Sequence, residues 1–133
     1  MIKKIKILAI DSEEIILKSI SRALKSDGST EFIVTVSNSS LDALKLIRED
    51  TFDLILLDLF LPGMNGIEVF RRIKNIYPVI PVIFMSGFSF TAINYNLGIE
   101  ETTVNDTLGK AAGFLLKPFT TSEILELVKS VLP

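Results

Sequence analysis

The chain has 133 residues, 48% hydrophobic and 23% charged, with a net charge of −2, which is a globular composition with enough apolar residues for one real core. The pI near 5.2 gives no basic footprint for nucleic acid, and no apolar run reaches the length that spans a bilayer. Cysteine and histidine are both absent, which excludes disulfides, thiolate or imidazole nucleophiles, and soft metal sites.

Any site must therefore be built from carboxylates, hydroxyls, lysine and backbone, a donor set that favours a hard cation such as Mg²⁺. The start of the chain, Met1-Ile2-Lys3-Lys4-Ile5, lacks the long apolar core of a signal peptide, so a cytoplasmic protein is expected.

Taken in order, Ile5 to Ile10 is an apolar run with one lysine, and it ends at Asp11. A helix is predicted from Ser12, with Ile15, Ile16, Ile20, Ala23 and Leu24 at helical spacing and Asp27-Gly28 as its stop. Phe32 to Val36 is β-branched and predicts a second strand. Ser39 or Ser40 caps a second helix whose Leu41, Leu44, Ile47 and Ala43 face inward. Leu54 to Leu57 is an unbroken apolar run ending on Asp58, the pattern of a strand buried on both faces. Pro62, Gly63, Asn65 and Gly66 then turn the chain into a third helix with Ile67, Phe70, Ile73 and Tyr77 on one face, closed by Pro78.

Pro81 opens a fourth strand, Val82 to Met85. Residues 87–99 hold Phe88, Phe90 and Tyr95 without a clean period. A weak helix is predicted from about Glu100 to Lys110. Phe114 to Leu116 makes a fifth strand before Lys117-Pro118. Thr120 and Glu123 form a capping box for a last helix that turns Ile124, Leu127, Val128 and Val131 inward. No internal repeat, low-complexity segment or interdomain linker is visible, so residues 1–133 are expected to form a single domain, whether free-standing or part of a longer protein.

Alternating strands and helices imply an α/β fold with a parallel sheet between two helical layers. Asp11, Asp58, Ser86 and Lys117 then all fall at carboxyl ends of strands, where open α/β sheets place their ligand sites. That gathering is the main physical inference from the sequence.

The same residues resemble the receiver domain of two-component response regulators. The marks are Ile-Asp-Ser-Glu at the first strand end, Phe-Asp-Leu-Ile-Leu-Leu-Asp-Leu-Phe-Leu-Pro-Gly-Met-Asn-Gly in the middle, Met-Ser-Gly after the fourth strand, and Gly-Phe-Leu-Leu-Lys-Pro-Phe near the end. The resemblance implies a flavodoxin-like (βα)5 fold with strand order 2-1-3-4-5, for which chemotaxis receivers are a standard example.

It also implies roles. Asp58 would be the phosphoacceptor, forming an aspartyl phosphate. Asp11, Asp58 and the backbone carbonyl of Phe60 would hold Mg²⁺. Ser86 and Lys117 would bind phosphoryl oxygens, with Ser86 and Phe114 moving together as a switch. The Lys117–Pro118 bond would be cis. A bland alternative exists for each: a turn or helix-start aspartate, a turn hydroxyl, a surface lysine, a core phenylalanine.

Two features depart from the family. Ser12 stands where an acidic residue is usual, and a hydroxyl is a poorer Mg²⁺ ligand than a carboxylate, so weaker metal binding is expected. Glu13 follows, but one step along a helix start its side chain points elsewhere; compensation by Glu13 is kept as an alternative. Second, roughly thirty residues separate Ser86 from Lys117, longer than usual, and Phe88, Phe90 and Tyr95 form either a partner-binding patch or a cover over the sheet edge.

The function expected is a phosphorelay receiver, served by a histidine kinase or phosphotransfer protein and acting on an output domain or target protein. A homodimer through the fourth helix, fifth strand and fifth helix of the family pattern is a further expectation, with no nucleic acid or membrane partner. The alternative is a pseudo-receiver, an interaction module with weak or absent phosphorylation because of Ser12. A phosphatase of another α/β family would place a second carboxylate two residues after Asp58, where Phe60 stands instead.

Overall fold

The computed structural model describes residues 3–89 and 92–133, and of residue 94 only the backbone. Phe90, one member of the expected aromatic patch, lies outside the described residues. Five parallel strands, β1 (Lys3–Ile10), β2 (Thr30–Ser37), β3 (Leu54–Asp58), β4 (Val82–Ser86) and β5 (Gly113–Leu116), form one sheet in the order β2-β1-β3-β4-β5. The helices are α1 (Glu14–Lys25), α2 (Ser40–Glu49), α3 (Gly66–Ile76), α4 (Ile93–Leu97), α5 (Glu101–Gly109) and α6 (Thr121–Val131). This is the expected flavodoxin-like three-layer arrangement.

The period of two along each strand divides the core into two layers. Leu8, Ile10, Ile55, Leu57 and Phe84 pack with α2, α3 and α5 on one face. Ile7, Ala9, Leu54, Leu56, Ile83 and Met85 pack with α1 and α6 on the other. Each such residue is fully buried, and removing a Leu, Ile, Phe or Met side chain from water contributes about 1.5–3 kcal/mol. Every residue of β3 and β4 is buried, because both strands have a helix layer on each side and a strand on each edge. The edge strands are less covered: Ile33 and Val36 of β2 and Leu116 of β5 are exposed.

Local details depart from the sequence pattern in places. Helix α1 begins at Glu14 with Glu13 as its N-cap, two residues later than Ser12. Leu41 is 72% exposed rather than inward. Ser40 is buried with Ala43, Leu44 and Ile47, and the residue after it is rotated by about 100° off that face. Tyr77 caps α3 and is half-buried. The aperiodic stretch holds the short helix α4, which buries Ile93 and leaves Tyr95 87% exposed. The capping box of α6 is present, with Thr120 Oγ1 accepting from the Glu123 amide at 3.1 Å and Glu123 accepting from the Thr120 amide at 2.9 Å.

Candidate functional site

Backbone pairing continues one residue past β1, β3 and β5 and fixes where the polar side chains emerge. The Asp11 amide donates to Ser37 at 3.1 Å, the Leu59 amide to Met85 at 3.0 Å, and the Lys117 amide to Ser86 at 2.7 Å. Asp11, Asp58 and Lys117 are thereby brought to one edge of the sheet. Asp11 is 0% and Asp58 3% exposed.

The turn after β3 explains its glycines. Gly63 has φ +81°, a conformation that glycine adopts without a Cβ penalty. Gly66 starts α3 directly behind the site: a Cβ there would lie 2.5 Å from the Asp58 carbonyl oxygen and 2.7 Å from Leu59 Cα. The Gly66 amide donates to Leu59 at 2.9 Å, and Asn65 caps the helix through the Glu68 amide. The sequence marks this stretch as a turn; the close approach of Gly66 to Asp58 is visible only in three dimensions.

Lys117 bridges the two carboxylates. Its ammonium lies 2.7 Å from Asp11 Oδ2 and 3.4 Å from Asp58 Oδ2. The other oxygens are held by backbone: Asp11 Oδ1 accepts from the Glu13 amide at 2.9 Å and Asp58 Oδ1 from the Phe60 amide at 3.1 Å. Burial, and then the negative charge of Asp11, push the Asp58 carboxyl up to about 6, against the lowering effect of the Phe60 amide and Lys117. For Lys117, burial opposes the charge, but the hydrogen bond to Asp11 and the charge of Asp58 outweigh it and raise its pKa.

A cleft of about 390 Å³ opens over Asp58 and is lined by Ser12, Glu13, Phe60, Phe88 and Lys117 among others. Phe60 and Phe88 rim it, their rings 4.9 Å apart and tilted by 51°. A larger groove of about 650 Å³ runs between α1 and β2 and contains none of the site's residues. Position and chemistry, not size, make the cleft over Asp58 the candidate site.

Ser86 is fully buried at the end of β4, and its hydroxyl is engaged by Phe88, donating to the carbonyl at 3.1 Å and accepting from the amide at 2.9 Å. Phe114 is half-buried and packs against the layer that contains Phe84 and Ile93. The Lys117–Pro118 bond is cis. Ser12 is exposed at the cleft. The sequence marks Phe88 as part of a patch or of a cover over the sheet edge; its contact with Phe60 depends on two loops meeting.

The donor set is suited to a small hard cation. Two buried carboxylates from adjacent strands offer oxygen only. Among the described residues no group of three or more acidic side chains is placed to hold a metal ion together.

A family model described as the response regulator receiver domain matches residues 7–129. An NtrX-like response regulator of Rickettsia typhi is 35% identical over 125 residues, which is 92% of this chain and 24% of that protein. The transcriptional regulatory protein ZraR of Klebsiella oxytoca is 35% identical over 85 residues, 64% of this chain and 17% of that protein. The chain thus spans about a quarter or less of these relatives' length. Among solved structures, a response regulator receiver domain of Clostridium thermocellum superposes with a TM-score of 0.76 at 26% identity, covering 96% of this chain and 93% of that one. The chemotaxis protein CheY4 of Vibrio cholerae gives 0.78 at 23% identity, covering 99% and 100%, and shares the fold.

Proposed function

This chain belongs to the response regulator receiver domain family, and we propose that it acts as a phosphorelay receiver with Asp58 as phosphoacceptor. Receiver domains are signalling domains rather than enzymes in the ordinary sense. The observation that carries the proposal is the pair of buried carboxylates, Asp11 and Asp58, joined by the Lys117 ammonium at the carboxyl edge of the sheet.

The chemistry follows from the atoms present. A carboxylate oxygen of Asp58 attacks phosphorus of a phosphohistidine donor on a histidine kinase or phosphotransfer protein. The P–N bond breaks as the P–O bond forms, the electron pair returns to the imidazole, and the product is a mixed anhydride. Lys117 is placed to pair with a phosphoryl oxygen. Ser86 reaches another once it leaves Phe88. Asp11, Asp58 and the Phe60 carbonyl would hold Mg²⁺, which when bound offsets charge on the transferring group. Water entering over Asp58 attacks phosphorus, the P–O bond to the carboxyl breaks, and inorganic phosphate leaves as the Asp58 carboxylate returns.

Phosphorylation adds about −1.5 to −2 charges beside groups that are committed elsewhere in this structure: Lys117 to Asp11, and Ser86 to Phe88. Contacts made in one state only can bias two arrangements of a surface. The face of α5, β5 and α6 is the surface proposed to respond, through Ser86 and Phe114, and to bind an output domain, a target or a second copy. No helix among the described residues is long and apolar enough to cross a membrane, and a cytoplasmic site of action is part of the proposal.

One observation favours a second reading. Ser12 supplies no charge, and Lys117 already neutralises one of the two carboxylates, which suits an interaction module of the pseudo-receiver kind. Borohydride reduction separates the two. After treatment with a phosphodonor and Mg²⁺, an acyl phosphate at Asp58 is reduced to homoserine at that position. A phosphoacceptor gives that peptide; a pseudo-receiver gives unmodified Asp58.

A further inference from the structure

Strand β2 is an edge of the sheet, paired with β1 alone. The Asp11 amide donates to the Ser37 carbonyl, so Ser37 turns its peptide groups toward β1. Successive residues of a strand turn theirs to opposite edges, which directs the N–H and C=O groups of Phe32, Val34 and Val36 at the open edge. Natural edge strands are blunted by charge, proline or a bulge. Over Thr30–Ser37 there is no proline, the one charge is Glu31, and the register with β1 is unbroken.

Beside this edge lies the groove of about 650 Å³ between α1 and β2. Glu14, Leu17, Lys18, Arg22 and Lys25 line it from α1, a spacing of three and four residues that makes one flank of a helix. Val36 lines it from β2 and is 45% exposed. The charge is uneven along the groove. Glu14 pairs with Lys18 at 3.4 Å, whereas Arg22 and Lys25 have no ion pair among the described residues. Helix α1 ends at Lys25, shortly before β2 begins at Thr30. The unpaired cations therefore lie toward the start of β2, and the apolar Leu17 and Val36 toward its end.

We propose that the open edge of β2 and this groove together dock an extended acidic segment of a partner protein. The segment adds a sixth strand to the five-stranded sheet. Its main chain pairs with Phe32, Val34 and Val36, and alternate side chains enter the groove. Running antiparallel to β2, it sets an apolar side chain against Leu17 and Val36 and then carboxylates beside Arg22 and Lys25. The chain as a whole has a net charge of −2, so a flank with three cations to one carboxylate selects its partner by local charge. A second copy pairing through β2 would set two such basic flanks side by side, and like charges oppose that. The groove shares no residue with the cleft over Asp58, so this surface stands apart from the reading of Asp58 as phosphoacceptor.

The probe is a fluorescein-labelled peptide, Thr-Val-Thr-Glu-Thr-Glu-Thr, whose valine and glutamates share one face of a strand, beside a twin with Gln for Glu. Anisotropy titration with the full chain at low ionic strength should give saturable binding. The neutral twin should bind about fivefold more weakly. The double variant Arg22→Glu, Lys25→Glu should bind the acidic peptide about tenfold more weakly. Both changes lie at exposed positions of α1, and the thermal unfolding midpoint verifies the fold. Hydrogen exchange followed by NMR should slow at the amides of Phe32, Val34 and Val36 when the peptide binds. Absence of saturable binding at millimolar peptide would overturn the proposal, as would equal affinity for the twin. Binding without slower exchange at those three amides would overturn it too, since the edge is then not paired. Equilibrium sedimentation of the chain alone covers the remaining occupant: a dimer that protects the same amides would give the edge to a second copy and overturn the acidic partner.

Discussion

Ser86 and Phe88 hold each other through two hydrogen bonds, the Ser86 hydroxyl donating to the Phe88 carbonyl at 3.1 Å and accepting from its amide at 2.9 Å. Phe88 in turn rests its ring on Phe60 at the rim of the cleft. A Ser86 hydroxyl that turns to a phosphoryl oxygen must release the Phe88 backbone, and so loosen the aromatic rim. The prediction is that Ser86→Ala still accepts phosphate on Asp58 but shows smaller phosphorylation-induced shifts in the amide resonances of residues 87–97. Shifts equal to those of the wild type would show that the hydroxyl does not transmit the change. The variant should also lose about 1 kcal/mol of stability with the two bonds.

Gly66→Ala should be strongly destabilising. The added methyl would lie 2.5 Å from the Asp58 carbonyl oxygen, a backbone atom of a buried strand that cannot swing aside. Helix α3 must move or β3 must bend, and overpacking of this kind costs about 1–3 kcal/mol. Urea unfolding should show a lower midpoint with an unchanged slope. A neutral outcome would mean that the start of α3 is freer than its contacts indicate.

Lys117→Met should destabilise the cation-free protein more than loss of a surface lysine does. It leaves Asp11 and Asp58, both buried, facing each other without the ammonium, and breaking a buried pair in this way costs about 3–5 kcal/mol. Added Mg²⁺ should recover part of that loss, since it supplies positive charge to the same oxygens. Thermal unfolding with and without MgCl₂ measures both effects. A loss of the same size in saturating Mg²⁺ would count against a shared site.

The raised pKa of Asp58 sets a pH dependence. Folded, this carboxyl titrates at about 6; unfolded, it returns to about 3.9. The folded state therefore binds the proton more tightly, and stability contributed by the protonated carboxyl is full below about pH 4 and is lost as pH rises through about 6. Asp58→Asn removes this dependence, so its stability relative to the wild type should increase between acid and neutral pH, by about 3 kcal/mol. A difference that stays flat with pH would place the carboxyl in an unperturbed environment.

The sequence carried the layers and the strand ends better than the loops. Leu54 to Leu57 could be read as a doubly buried strand because an unbroken apolar run has few other stable placements in a chain of this kind. Asp11, Asp58 and Lys117 could be located because each follows such a run. Helix phase was less secure. Leu41 has the hydrophobicity to face inward, but a buried Ser40 turns it to solvent, a choice made by packing rather than by side-chain polarity. The tie between Ser86 and Phe88 and the Phe60–Phe88 contact both depend on how loops at the strand ends meet. No periodic pattern encodes such meetings. The aperiodic stretch after β4 likewise hid α4, a helix too short to display a period around Ile93 and Tyr95.

The central claim is that Asp58 accepts a phosphoryl group in this pocket, and intact-protein mass spectrometry tests it most directly. The full chain is incubated with a small-molecule phosphodonor and MgCl₂, beside Asp58→Asn and a sample with the metal chelated. The account predicts one added phosphoryl group on the wild type, none on Asp58→Asn, and less when the metal is removed. Wild-type protein that gains no mass at saturating Mg²⁺, or Asp58→Asn that gains as much as the wild type, would contradict it.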